Sequence, residues 1–324
     1  MPVILGTLYQ SRTALLRTWT SSRFASRFAW SLTSKMSTFQ HPDYRIPITL
    51  PAGLSQSQLL NFSPFANWLA RLQGSLAAQH ITRDHPFAGD PYALQSITVQ
   101  SYDLFGTGRL GFVKLTSRVA NGAGECLPGS VFLRGPSVAM LVMLVPDDVG
   151  EEEADAERYV LLTVQPRVAA GSLEFVELPA GMVDEGGTFA GQAAREMEEE
   201  LGLVIGEREL VCLSDLVETE GEGGGGGGAG TGGEGAAQQL LPKAVYPSAG
   251  GCDEYIPIYM HERRVPRAQL GEWTGKLTGL REQGEKITLK LVRMVDLWKE
   301  GARDAKCLAA VALWEGLRRE GKIR

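Results

Sequence analysis

The chain has 324 residues, 44% of them hydrophobic and 22% charged, with a formal net charge of −6. This is the balance of an ordinary soluble protein, and the lack of a basic stretch interleaved with aromatic residues argues against nucleic acid as a partner. No apolar run approaches the roughly 20 residues that a membrane-spanning helix needs, so no membrane role is expected.

Residues 1–40 carry Arg12, Arg17, Arg23, Arg27 and Lys35, many Ser and Thr, and no acidic residue before Asp43. That composition marks a mitochondrial or plastid transit segment. The reading taken is a leader over 1–40 with a mitochondrial address, and a start at Met36 would leave a cytoplasmic form. Next, "LSQSQLLNFSPFANWLARLQGSLA" (54–77) spaces its apolar residues by three and four, which predicts a helix restarted at Pro64. "SITVQSYDLFG", "LGFVKLTSRVA", "SVFLRG" and "SVAMLVMLV" (137–145) read as strands. An acidic loop at 147–157 leads into a strand pair, "RYVLLTVQPR" (158–167) and "LEFVELPAG" (173–181).

A helix is expected over "TFAGQAAREMEEEL" (188–201), then a short strand in "LVCLSDLV". Residues 220–237 are low in complexity, with six consecutive glycines at 223–228, and read as a flexible insert within one fold. Strands are expected in "EYIPIYMHERRV" (254–265) and "EKITLKLVRM" (285–294). A C-terminal amphipathic helix would turn Leu308, Val311, Trp314 and Leu317 inward. Strands and helices mix without a regular βαβ alternation, which argues for α+β or a sandwich over a doubly wound sheet. The working division is a leader (1–40), a helical and β-rich region (41–145) and a second domain (146–324). Cys126, Cys212, Cys252 and Cys307 form no CxxC pair, and the histidines His41, His80, His85 and His261 are scattered. The cysteines read as free thiols and the histidines as core or surface residues.

The acidic helix asks for an explanation, since like charges at helical spacing repel and carboxylates near a helix C-terminus oppose its dipole. At 100° per residue, Ala190, Ala194, Met197 and Leu201 fall on one side and Glu196, Glu199 and Glu200 on another, while Glu198 points elsewhere. Thr188 is placed to cap the start and Gly202 to end the helix in a left-handed turn. A hard divalent cation resolves the repulsion, because Mg²⁺ takes oxygen ligands and shares them with substrate phosphates.

The order of strand, glycine turn, loop and acidic helix resembles the Nudix hydrolase box. "GMVDEGGTFAGQAAREMEEELGL" (181–203) matches that pattern at Gly181, Arg195, Glu196, Met197, Glu199, Glu200, Gly202 and Leu203. It departs at Gly187, where the family has a glutamate that is mainly a structural partner of the arginine; Glu185 is the substitute within reach in sequence. The resemblance implies a Nudix fold, an α/β/α sandwich with a mixed sheet, behind a small β-rich N-terminal region. It implies Glu196, Glu200 and the carbonyl of Ala180 as Mg²⁺ ligands (Mn²⁺ in its place), with Glu199 sharing a further ion. Gly181, Arg195 and Gly202 would be the structural residues of the box.

Downstream, "YPSAGGCDEYIPIYM" (246–260) and "TGLREQGEKITLKLVRMVDLW" (278–298) resemble the ADP-ribose and nucleotide-sugar branch, most of all the plant and fungal ADP-sugar diphosphatases. The implied reaction is Mg²⁺-dependent hydrolysis of ADP-sugars, of the ADP-glucose or ADP-ribose type, to AMP and a sugar phosphate. Glu285 would position or deprotonate the attacking water, with Glu282 as the neighbouring alternative and Glu199 as the candidate if neither serves. Arg167 and Arg281 would grip phosphate. The branch dimerises through its N-terminal strands, so a homodimer through residues 86–145 is expected. A UDP-sugar or ADP-ribose hydrolase with the same chemistry, and a non-catalytic Nudix-fold nucleotide-binding module, remain as alternatives.

Overall fold

The computed structural model describes residues 36–82, 84–106, 108–183, 187–217, 241–279 and 286–324. The leader up to residue 35, the glycine-rich insert and the loop holding Arg281, Glu282 and Glu285 lie outside them, as does Glu185.

Two short strands not foreseen from the pattern, β1 (Ser37–Gln40) and β2 (Pro47–Leu50), open the chain. The expected helix is two: α1 (Gln56–Leu60) and α2 (Ser63–Ile81). A reciprocal capping box between Ser55 and Gln58 starts α1, and Pro64 sits in the first turn of α2, where its missing N–H costs nothing. β3 (Ala93–Phe105), β4 (Arg109–Ala120), β5 (Cys126–Leu127) and β6 (Ser130–Leu133) complete the first sheet. Its order among the described residues is β1-β2-β3-β4-β5, with β6 also on β4. Along β4 the residues alternate as period two demands: Val113, Leu115 and Val119 are buried while Lys114 and Arg118 are exposed. They pack with Ile48, Ile97, Phe65 and Leu69 into a core of their own.

The second sheet is built on β7 (Ser137–Pro146), buried at every position. Such a strand must be covered on both faces. Ala139, Leu141 and Met143 face one layer, and Val138, Met140, Val142 and Leu144 the other. Its partners are β8 (Tyr159–Arg167), β9 (Ser172–Glu177), β10 (Ala180–Met182), β11 (Val211–Cys212), β12 (Ile258–Val265), β13 (Leu277–Thr278) and β14 (Ile287–Arg293). The order is β11-β12-β7-β8-β14-β13, with β10 on β7 and β9 on β8. The β7–β12 pair is parallel and β7–β8 antiparallel, so the sheet is mixed.

One face carries α3 (Phe189–Glu196) and α4 (Arg267–Trp273), and the other α6 (Ala305–Arg319), preceded by α5 (Leu297–Glu300). This is the α/β/α sandwich expected, with a separate β-rich N-terminal piece. The chain changes sheets at Arg134–Pro136, so the strand 137–146 belongs to the second sheet. α6 turns Cys307, Ala310, Trp314 and Leu317 inward, whereas Leu308 is 43% exposed and Val311 only half-buried; the apolar stripe lies about one position round from its expected place. No helix among the described residues is long and apolar enough to cross a membrane.

Candidate active site

β7 and β8 pair only at Met143–Val160 and Leu144–Tyr159, then diverge. The gap is filled by one crossing segment. It runs as β9 along β8, with Glu177 opposite Thr163, and turns at Leu178–Pro179. It then rejoins the sheet as β10 on β7, with Ala180 opposite Ala139 and Gly181 opposite Val138. The crossing is pinned by Met140 N–H donating to Pro179 O (3.0 Å) and Leu178 N–H donating to Asp304 Oδ2 (2.9 Å). The chain then enters α3, capped by Thr188 Oγ1 accepting from Gly191 N–H at 2.9 Å.

Gly181 meets the acidic helix directly. A Cβ built on it would overlap the Oε1 and Cδ atoms of Glu196, so the absent side chain is what lets that carboxylate lie on the strand backbone. Gln192 Nε2 donates to Glu196 Oε1 at 2.6 Å, and Arg195 Nη2 donates to Gln192 Oε1 at 2.7 Å. The expected single helix over 188–201 is in fact α-helical only to Glu196; Met197–Leu201 forms one π turn, closed by Gly202 at φ 68°. Inserted π turns recur at functional sites because they re-aim side chains without ending the helix. Here the wider turn buries Glu200 to 1% exposure beside Met197 and Leu201, leaves Glu199 half-buried, and sends Glu198 to solvent. The packed face also differs from the 100° projection: Gln192 and Ala193 are buried, and Ala190 and Ala194 only half so.

Among the described residues no three His, Cys, Asp or Glu side chains converge as a metal-binding group. Glu196, Glu199 and Glu200 are the carboxylates that the box sets within one turn of one another along the chain. The donors present are all hard oxygens, as Mg²⁺ requires, and the side-chain-free cradle at Gly181 places one of them on the strand that carries the Ala180 carbonyl. In both respects the residues fit a divalent cation.

Arg167, at the end of β8, has its Nε donating to Glu177 Oε1 at 2.6 Å, with the side chain 41% exposed. Glu177 is 2% exposed and also takes Lys306 Nζ at 2.9 Å; Lys306 bonds Asp304 at 2.9 Å, and Asp304 caps α6 through Lys306 N–H. Burial pulls the Lys306 ammonium down, but the Glu177 and Asp304 carboxylates outweigh it and leave its pKa above the ordinary value. This network fastens the crossing strand to α6. Glu177, Asp304 and Lys306 were not foreseen; the one signal was the acid of "VELPAG" closing an apolar strand.

A cavity of about 380 Å³ opens against the loop after Gly181. Met182, Val183 and Phe189 line it together with the aromatic rings of Phe62, Phe105 and Tyr255, the last of which packs on Phe189 with ring centroids 6.0 Å apart. Arg134 lines it too, paired with Glu254 at 2.9 Å. The linker between sheets is fixed here by Asp253, whose Oδ1 accepts from Arg134 N–H (2.7 Å) and Gly135 N–H (3.2 Å). Burial holds the Asp253 carboxyl above the usual range, against the pull of those two N–H groups. All four cysteines are free thiols. His261 is a core histidine, 6% exposed, whose pKa burial lowers and whose Nδ1 meets Glu209 O at 3.2 Å.

The model of the NUDIX domain matches residues 139–226, from β7 through the box into the glycine-rich insert. Nudix hydrolase 14, chloroplastic, of Arabidopsis thaliana is 33% identical over 298 residues, covering 90% of this chain and 84% of that protein. A solved structure described as that of an ADP compounds hydrolase aligns with 71% of this chain and 99% of its own, at 16% identity and a TM-score of 0.41. The chloroplastic relative overturns the mitochondrial address expected of the leader and points to a plastid. Both kinds of transit segment are rich in Arg and Ser and poor in acids, so composition could not separate them. The box, the sandwich that carries it and the relative matched along nearly the whole chain establish that this protein belongs to the Nudix hydrolase family.

Proposed function

We propose that this Nudix hydrolase cleaves the diphosphate bond of ADP-sugars, of the ADP-glucose or ADP-ribose type, to AMP and a sugar phosphate with Mg²⁺. The family acts on nucleotide derivatives with divalent metal ions such as Mg²⁺; the narrower substrate class is our reading. The observation that carries the metal-dependent chemistry is the Glu196 carboxylate seated on the Gly181 backbone, one turn before buried Glu200. Glu196, Glu200 and the Ala180 carbonyl would hold Mg²⁺, with Glu199 serving a further ion. Bound there, the cation would neutralise the diphosphate and acidify a water.

The chain's own residues do the rest. The crossing strand, tied to α6 through Glu177, holds Gly181 and Ala180 still. Arg167, its Nε engaged by Glu177, would offer its Nη groups to a phosphate. On sequence resemblance Arg281 would help, and Glu285 (or Glu282) would orient the water. The aromatic cavity beside Met182 and Val183 supports a substrate with a flat nucleoside portion next to the diphosphate. A homodimer through residues 86–145 belongs to the same proposal.

The test compares AMP release from ADP-ribose with Mg²⁺, with EDTA, and by Glu200→Gln with Mg²⁺. Losing a metal-ligand charge should lower turnover about 100-fold or more, since such ions supply several kcal/mol of transition-state stabilisation. A rate indifferent to EDTA, or a near-normal Glu200→Gln at saturating Mg²⁺, would refute the assignment.

A further inference from the structure

We propose that Gln192 is the positioning residue for Glu196, a neutral relay that turns the charge of Arg195 into a fixed orientation of the metal-binding carboxylate. The proposal rests on the reading of Glu196 as a ligand.

Gln192 is 6% exposed and lies one turn before Glu196 on α3. Its carboxamide is used at both ends: Oε1 accepts from Arg195 Nη2 at 2.7 Å and Nε2 donates to Glu196 Oε1 at 2.6 Å. The amide can sit only one way round. A guanidinium has no acceptor and an ionised carboxylate no donor, so a flip would break both bonds. Glu196 is therefore confined from two directions, by the Gln192 amide and by the bare backbone of Gly181.

The residue type is demanding. A glutamate at 192 would set a second carboxylate against Glu196, a lysine could not accept from Arg195, and serine or threonine could not span a helical turn. Gly187, where the box pattern has a glutamate, leaves no carboxylate at that place. Gln192 supplies a different partner for the arginine, from within the helix and without adding charge. Bonds closing the last α turn before the π segment also fix where that segment begins, and with it the separation of Glu196 from Glu200.

The test is Mn²⁺ binding to the full chain, by calorimetry and by the EPR spectrum of the bound ion. It compares wild type, Gln192→Met, Gln192→Leu, Glu196→Gln and the Gln192→Met/Glu196→Gln pair, with melting temperatures alongside. Gln192→Met keeps volume and removes both bonds; Gln192→Leu serves if that variant does not fold. Outer partners of metal ligands are worth about 10–100-fold in affinity, and a loss of that size is expected at a nearly unchanged melting temperature. The double variant should bind no more weakly than Glu196→Gln alone. Affinity within twofold of wild type in a folded Gln192→Met or Gln192→Leu, while Glu196→Gln loses it, overturns the relay and leaves Glu196 a ligand. Unchanged affinity in Glu196→Gln overturns both.

Discussion

At the scale of single residues, the site turns on an atom that is not there. Gly181 has no Cβ, and the Glu196 carboxylate occupies its place. Gly181→Ala should therefore push Glu196 off the strand. The expected cost is ~1–3 kcal/mol of stability, the usual range for an overpacked contact, together with at least a tenfold loss of metal affinity, on the order seen when a ligand's support is removed. Thermal melts with and without Mn²⁺ read both; a variant with wild-type affinity would show that the seat does not matter. The sequence made Gly181 and Glu196 visible as members of a spaced pattern, and Thr188 and Gly202 as caps. It hid Gln192, because a glutamine among alanines reads as solvent-facing until its neighbours are known. It also hid Glu177, Asp304 and Lys306, which lie up to 129 residues apart in the chain and meet only after folding.

At the scale of elements, strands with strong alternation or unbroken apolar runs were legible: β4, β7, β8 and β14 stand close to where the pattern puts them. β1, β2 and α4 were not, being four, four and seven residues long with too few turns of periodicity to register. The π turn was equally hidden, since a projection at 100° per residue assumes that the helix stays α. The linker between the sheets gives a prediction of its own. Burial lifts the pKa of the Asp253 carboxyl above its ordinary value, against the pull of the Arg134 and Gly135 N–H groups. Its contribution to stability is thus fully present below the unfolded value and is lost as pH rises through the folded one. Asp253→Asn keeps an oxygen for the Arg134 and Gly135 N–H groups and removes the charge. It should match wild type near pH 3.8 and grow more stable relative to it toward pH 7. Asp253→Ala leaves those two N–H groups without their acceptor and should be ~1–3 kcal/mol less stable than Asp253→Asn at any pH. Denaturant unfolding across the range checks this; an Asn variant less stable than wild type at pH 7 would contradict it.

At the scale of the whole molecule, the two sheets do separate work. The first closes on its own core, and the second holds the box between α3 and the β7–β8 gap. The cavity that abuts the box draws on both: Phe62 and Phe105 come from the first part and Met182, Phe189 and Tyr255 from the second. Family membership was legible because the box joins eight matching positions to a strand and a turn that composition alone would not demand. The base and sugar were not, since the cavity beside the box is lined by residues far apart in the chain, such as Phe62, Met182 and Tyr255, that meet only after folding. The most direct measurement is product analysis with Mg²⁺ on a panel of ADP-glucose, ADP-ribose and UDP-glucose. The account predicts AMP and a sugar phosphate from the ADP-sugars, at a higher kcat/KM than UMP from UDP-glucose. Release of no nucleoside monophosphate from any of the three, with Mg²⁺ or Mn²⁺ present, would contradict it.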